Sequence, residues 1–264
     1  MRIERVKACL NGGRRVAEHP AVPVTPAQLA AAATSATAAG AEAVHVHPRD
    51  GHGAETLAAP DIGAAVGAIR RACPDVPVGV STGLWIAGHD PGARLDAVAG
   101  WSRLPASRRP DFASVNLSEP GFGPLALTLW SLGVAVEAGV WSTADADALA
   151  GSGLAGRCLR VLVEIIGTPR DAAPAAATAV LDRLEALDCP GPRLLHGEDE
   201  ATWPLVALAG QLGLATRIGL EDTTTDPDGA PVAGNAELVR LALATWTAQR
   251  PSPGGNEEAS RPGR

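Results

Sequence analysis

At 264 residues, with 46% hydrophobic and 19% charged residues, the chain is long enough for a sizeable globular core. The net charge of -7 leaves no basic patch dense enough for nucleic-acid binding. No apolar run reaches the roughly 18 residues that a membrane span needs, and the N-terminus, Met-Arg-Ile-Glu-Arg, carries no signal-peptide apolar region. The four cysteines are scattered without a CxxC pair. They read as reduced thiols of a cytoplasmic protein.

Strand-like and helix-like segments alternate along the chain. Ile3 to Leu10 reads as a strand ending at Asn11-Gly12-Gly13, and Thr25-Pro26 caps and opens an Ala-rich helix that Gly40 ends. The second strand carries His45 and His47 and stops at Pro48; a helix follows over about Asp61 to Cys73. Pro77 to Ser81 is the third strand, and Pro91 to Leu104 a helix. Phe112 to Asn116 is the fourth strand, and Leu125 to Leu132 a helix. The fifth strand, Gly133 to Glu137, leads into a short helix capped by Ser142-Thr143. Cys158 to Ile165 and Arg193 to His196 form the sixth and seventh strands, each followed by a helix (Asp171 to Leu187, Glu200 to Leu212). Thr216 to Leu220 is the eighth strand and Glu237 to Ala248 the last helix.

Eight such units in about 250 residues match an α/β fold of the (β/α)8 TIM-barrel type. The reading is one catalytic barrel over residues 1–249 and a disordered tail over 250–264, rich in Pro, Gly, Glu and Arg. A doubly wound sheet is the runner-up, but no GxGxxG or GxxxxGK[ST] follows any strand. All six histidines fall at the C-terminal end of a strand or in the loop after it. That is the face on which such barrels carry their chemistry.

His45 and His47 are two apart in a strand, so their side chains share a face and can reach one metal ion. The alternative is a pair of core histidines, each needing its own buried partner. Glu221, sharing a face with Arg217 and Gly219, is the best third ligand. Two His and one carboxylate suit catalytic Zn²⁺ and also a facial Fe(II) site. The competing role for Glu221 and Asp222 is a solvated pair or a helix cap. Arg217 inside a barrel needs carboxylate partners, and an Arg217–Asp222 pair could keep Asp222 ionised as a general base; alternatively the pair only closes the barrel floor. Ser81, Ser114, Asn116 and Asn11 also end strands, where small polar groups can bind a carboxylate or an oxyanion. Glu137, at the end of the fifth strand, is ambiguous, and His196 could touch a substrate or cap a helix. Lys7, the only lysine, lies about 13 Å below Asn11 at about 3.3 Å per residue, too deep for a Schiff base. No GxSxG elbow is present.

The segments Asn11-Gly12-Gly13-Arg14, His19-Pro20 through Thr25-Pro26, His45-Val46-His47-Pro48-Arg49-Asp50, Ser81-Thr82-Gly83, Ser114-Val115-Asn116-Leu117 and Arg217-Ile218-Gly219-Leu220-Glu221-Asp222 occur in this order along the chain. Taken together they resemble the β-keto acid cleavage enzymes, the family of 3-keto-5-aminohexanoate cleavage enzyme. The resemblance implies a zinc-dependent barrel, a homo-oligomer (dimer or tetramer), with one Zn²⁺ per chain held by His45, His47 and Glu221. It implies a Claisen-type exchange in which a β-keto acid and acetyl-CoA, the co-substrate, give acetoacetate and a new acyl-CoA. Asp222, oriented by Arg217, would be the base; Ser81 would bind the substrate carboxylate, with Ser114 and Asn116 lining the pocket. Three loops depart from the family: Glu137-Ala138-Gly139 lacks a second acid, His196-Gly197-Glu198-Asp199 lacks a Gly-Xaa-Gly turn, and the fourth strand ends in Leu117-Ser118-Glu119-Pro120-Gly121. A metal-dependent hydrolase of the amidohydrolase type is the other enzyme reading, although those barrels place HxH on the first strand. A non-catalytic metal-binding barrel is the third reading.

Overall fold

The computed structural model describes residues 2–250, so the expected tail lies outside the described residues except for Arg250. Eight parallel strands close into a barrel in chain order. The strands are β1 (Val6–Cys9), β2 (Ala43–Val46), β3 (Val78–Ser81), β4 (Phe112–Asn116), β5 (Ala135–Val140), β6 (Arg160–Ile165), β7 (Arg193–Gly197) and β8 (Ala215–Ile218). The helices between and after them are α1 (Pro26–Ala38), α2 (Ala59–Ala72), α3 (Pro91–Ala99), α4 (Phe122–Ser131), α5 (Thr143–Ser152), α6 (Ala173–Ala186), α7 (Thr202–Leu212) and α8 (Asn235–Gln249). This is the (β/α)8 barrel that the alternation of elements implies. No helix of the described residues is long and apolar enough to cross a membrane.

Local signals set several boundaries. Thr25 caps α1 by accepting from Gln28 N while the Gln28 side chain accepts from Thr25 N, a closed capping box ahead of Pro26. Asp90 and Ser142 cap α3 and α5 more simply, their side chains accepting from backbone N–H groups of the first turn.

The two faces of the barrel differ sharply. Outward-facing strand residues such as Val6, Ala8, Val44, Val46, Val80, Val136, Val161, Val163 and Ile218 join one apolar cluster with the helices. The interleaved residues point into the barrel and include most of the polar groups, as period-two alternation demands. Ile3, Ala43, Phe112, Leu162, Leu194 and Ala215 form a separate small cluster. Beside it, Lys7 lies 2.6 Å from Glu137 Oε2, and Arg160 Nη1 lies 3.1 Å from Glu137 Oε1, all three buried. The Lys7 ammonium also sits 5.6 Å from the Phe112 ring centroid.

That triad corrects the expectation for Glu137. β5 does not end there: Gly139 and Val140 continue the ladder with Leu162 and Val163 of β6. Glu137 is therefore mid-strand, with no exposed surface, and does not line the cavity at the barrel mouth. Breaking a buried ion pair costs on the order of 3–5 kcal/mol, so the carboxylate is committed to Lys7 and Arg160 rather than to a ligand.

Candidate metal centre and active site

The side chains that carry chemistry meet at the C-terminal ends of β2, β6, β7 and β8. β8 is shorter than its sequence suggests. After Ile218 the ladder gives way to a turn in which Asp222 N and Thr223 N both donate to Gly219 O. A Cβ at Gly219 would collide with the Cys9 carbonyl, so only glycine lets the chain curl here and bring Glu221 over the mouth. Gly12, on the facing loop, has φ +52°, and a Cβ there would strike the Glu221 side chain. These two glycines make room for one carboxylate.

His45, His47 and Glu221 form a cluster whose potential ligand atoms all lie within 4.8 Å of one another. His45 Nε2 is 3.9 Å from Glu221 Oε2, and His47 Nε2 is 3.5 Å from Glu221 Oε1. The two imidazoles stand edge to face, with ring centroids 5.2 Å apart and planes at 75°. Asn11 brackets His47 from behind: its Nδ2 donates to His47 O at 2.8 Å and its Oδ1 accepts from His47 N at 2.8 Å. Asn11 is thus spent on backbone and does not line the cavity, unlike the substrate contact expected of it.

Arg217 is the hub beside this cluster. Its Nε and Nη2 donate to Asp222 Oδ1 at 3.0 and 2.7 Å, and Nη2 also reaches Glu221 Oε1 at 2.8 Å. Nη1 lies 3.5 Å from Glu164 Oε2, and Glu198 Oε1 is 3.9 Å from Nη2. Four carboxylates therefore surround one guanidinium. Burial opposes charge on Arg217, yet Asp222, Glu221 and Glu164 hold it firmly protonated, well above its usual value.

The excess of buried negative charge calls for a cation. Burial works against a charged His47, but Glu221 and Glu55 outweigh it and push its imidazole up to about 9. His45, for which burial dominates, is driven well below the usual histidine value and stays neutral. Glu221 Oε2 is buried with no hydrogen-bond partner. A divalent metal between two imidazoles and that oxygen satisfies all three, and the donor set fits it.

Asp222 is fully buried; burial pushes its carboxyl up while Arg217 holds it down, and the net shift is upward. Its Oδ1 is shared between Arg217 and His196 Nδ1, 3.6 Å away. Its Oδ2 has no hydrogen-bond partner. His196 neither caps a helix nor lines the cavity: its Nε2 pairs with Glu164 Oε2 at 2.9 Å. Glu164 also accepts from Trp141 Nε1 at 3.1 Å. A Cβ at Gly139 would lie 2.6 Å from Glu164 Oε1, so the missing side chain on β5 leaves room for the acid of β6.

A cavity of about 270 Å³ opens over these groups, lined by His45, His47, Glu221 and Arg217 and by Ser81, Ser114, Asn116, Arg14, Trp85 and Glu198. The Ser81 hydroxyl oxygen accepts from Gly83 N at 3.2 Å, which leaves its O–H to donate elsewhere. Asn116 Nδ2 donates to Glu119 Oε1 at 3.1 Å, and Glu119 in turn accepts from Leu84 N and pairs with Arg94. A second cavity of about 420 Å³ lies outside the barrel, between α1 and the segment around the start of α8. It contains none of the site residues. His19 anchors the loop after β1 by bonding Val232 O at 2.8 Å, and His52 is exposed.

Glu55, Trp85, Glu164 and Glu198 were not singled out by sequence reading. Glu164 carried a signal, since it is a charged residue at the end of an apolar strand. Glu198 supports a pH prediction. Burial pushes its carboxyl up to about 7, with Arg217 opposing and Asp222 and Glu221 adding to the rise. The unfolded chain releases this proton near the ordinary value of 4.5, while the folded chain keeps it until about 7. Stability is therefore lost as pH rises through that window. Glu198→Gln, neutral throughout, is expected to raise the thermal midpoint of metal-stripped protein at pH 8 and to leave it unchanged at pH 4. Equal midpoints at pH 8 would contradict this.

A parallel barrel with two histidines and a carboxylate converging at its C-terminal mouth defines the class, a barrel with a metal-ligand set on its catalytic face. The chain belongs to the β-keto acid cleavage enzyme family, whose sequence model matches residues 5–259. It is 39% identical over 79 residues to a 3-keto-5-aminohexanoate cleavage enzyme of Fusobacterium nucleatum, 30% of this chain and 29% of that protein. It is 32% identical over 119 residues to the enzyme of the same name from Acetoanaerobium sticklandii, 45% of this chain and 40% of that protein. The matched stretches thus span under half the length of these relatives. Among solved structures, ObcA in a ternary complex with a C4-CoA adduct and oxalate superposes with a TM-score of 0.70 at 19% identity, covering 85% of this chain and 63% of that one. The 3-dehydroquinate dehydratase of Geobacillus kaustophilus superposes at 0.59 with 10% identity, covering 92% of this chain and 90% of that one. At these identities the likeness is one of fold.

Proposed function

We propose that this chain is a zinc-dependent β-keto acid cleavage enzyme that exchanges acyl groups between a β-keto acid and acetyl-CoA, yielding acetoacetate and a new acyl-CoA. One observation carries the reading: the His45–His47–Glu221 set lines the cavity beside Arg217, which is joined both to Glu221 and to Asp222 buried behind it. Family membership and ObcA, whose solved complexes hold oxaloacetate and a C4-CoA adduct, support it.

His45, His47 and Glu221 would hold the zinc, which when bound supplies Lewis acidity to a carbonyl oxygen. Ser81 offers its hydroxyl to the substrate carboxylate, and Ser114 and Asn116 line the pocket beside it. Asp222 Oδ2, buried and without a partner, receives the proton from the carbon between the carboxylate and keto groups. That carbon then attacks the thioester carbonyl and CoA thiolate leaves. The thiolate adds to the original keto carbon, the bond to the acidic carbon breaks, and Asp222 returns its proton to the departing acetoacetate. Arg217 stays charged throughout and keeps Asp222 aimed.

The test is zinc content followed by a coupled assay with acetyl-CoA and a panel of β-keto acids, reading new acyl-CoA species by mass. About one zinc per chain, the stoichiometry of a single catalytic site, with a mass-shifted acyl-CoA, is the expected result. Zinc without any CoA product would favour hydrolytic or non-catalytic use of the site. Protein that neither carries zinc nor takes it up would refute the reading.

A further inference from the structure

Glu55, eight positions after His47, comes back into contact with it. After β2 the chain makes a tight loop in which Asp50 N donates to Ala54 O at 2.8 Å and Thr56 N to Pro48 O at 3.1 Å, with an antiparallel bridge between Arg49 and Glu55. The Asp50 carboxylate closes the turn by accepting from His52 N and Ala54 N. The loop therefore doubles back and aims Glu55 at the strand it left. Glu55 Oε1 lies 2.5 Å from His47 Nδ1, and Oε2 accepts from Trp85 Nε1 at 3.1 Å. Trp85 stacks on His47 with centroids 6.3 Å apart and planes at 26°, although its side chain remains 40% exposed. The ring rests where a Cβ at Gly83 would be. His45 differs: its Nδ1 is buried without a hydrogen-bond partner.

We infer that Glu55 is the positioning residue of the metal centre: by holding His47 Nδ1, and itself held by Trp85, it presents Nε2 to the metal and sets the affinity of the site. The inference rests on the zinc reading above. A ring nitrogen bonded to a carboxylate is fixed in tautomer and orientation, and its other nitrogen becomes the better donor. Because Nδ1 is taken, only Nε2 remains to face Glu221. The Trp85–Glu55 hydrogen bond also ties the loops after β2 and β3 together beside His47.

The zinc dissociation constants of full-length wild type, Glu55→Ala and Glu55→Gln would be measured by competition with a chromophoric chelator. Glu55→Ala is expected to bind zinc about 10–100-fold more weakly, the usual effect of removing such a partner. Glu55→Gln, whose amide oxygen still accepts from an imidazole N–H, is expected to recover part of that loss. A residue that only braced the loop would show no such graded rescue. Wild type with measurable zinc affinity and both variants equal to it would overturn the positioning role alone. Wild type with no zinc affinity would overturn the metal reading and this inference together.

Discussion

Glu221→Ala protein is expected to lose its zinc, falling from about one ion per chain to a small fraction of that, and to lose acyl exchange with it. The expectation follows from what Glu221 does in the cluster. It is the only acid among the three residues that converge within ligand distance of one another. Two imidazoles alone make a weak site, because a catalytic zinc needs three protein ligands and here one of them must supply charge. The fold should survive the change. Arg217 would lose one partner at 2.8 Å but keep Asp222 at 2.7 Å and Glu164 at 3.5 Å, so no buried guanidinium is stranded. A Cβ remains at position 221, so the contact with Gly12 is only loosened. Metal content by elemental analysis, with thermal midpoints of the zinc-stripped proteins as the control for folding, decides it. Full zinc content in Glu221→Ala would remove Glu221 from the ligand set.

Strand alternation made much of this legible. Lys7, His45, Ser114, Arg160 and Glu164 are polar residues set between apolar neighbours, and with Arg217 they point into the barrel. The spacing of His45 and His47 put two of the clustered side chains on one face, whereas Glu221 lies past the end of β8 and joins them through the turn at Gly219. Glu137 shows where this runs out. Ala138 and Gly139 look like the start of a loop, and only pairing with β6 shows that the strand continues. Depth along a barrel strand is fixed by the neighbouring strand, which local sequence does not contain. Asn11 is a related case, since a strand-end asparagine suits a ligand or a backbone bracket equally well. Glu55 could not be read at all: its partner lies across a loop whose turn is set by the Asp50 side chain, and loops carry no periodicity.

Asp222→Asn is expected to keep its zinc and lose turnover by about 10²–10⁴-fold, the usual contribution of a positioned general base. The substitution nearly conserves shape. An asparagine carbonyl in place of Oδ1 still accepts from Arg217 Nε and Nη2, now at 3.0 and 2.7 Å. Its amide nitrogen would then occupy the place of Oδ2, the atom that has no partner and is free to take a proton. A carboxamide there can donate a hydrogen bond but has no basic lone pair, so binding persists while proton removal fails. Burial pushes the Asp222 carboxyl up, with Arg217 opposing it, and the net rise strengthens it as a base. Arg217→Lys should fall between wild type and Asp222→Asn, because one ammonium cannot reproduce the planar fork that reaches both Asp222 and Glu221. If Asp222→Asn lost zinc as well, its effect on turnover would trace to the metal site. If it kept zinc and turned over within threefold of wild type, the base would have to lie elsewhere, and Glu198 at the cavity wall would be the next carboxylate to test.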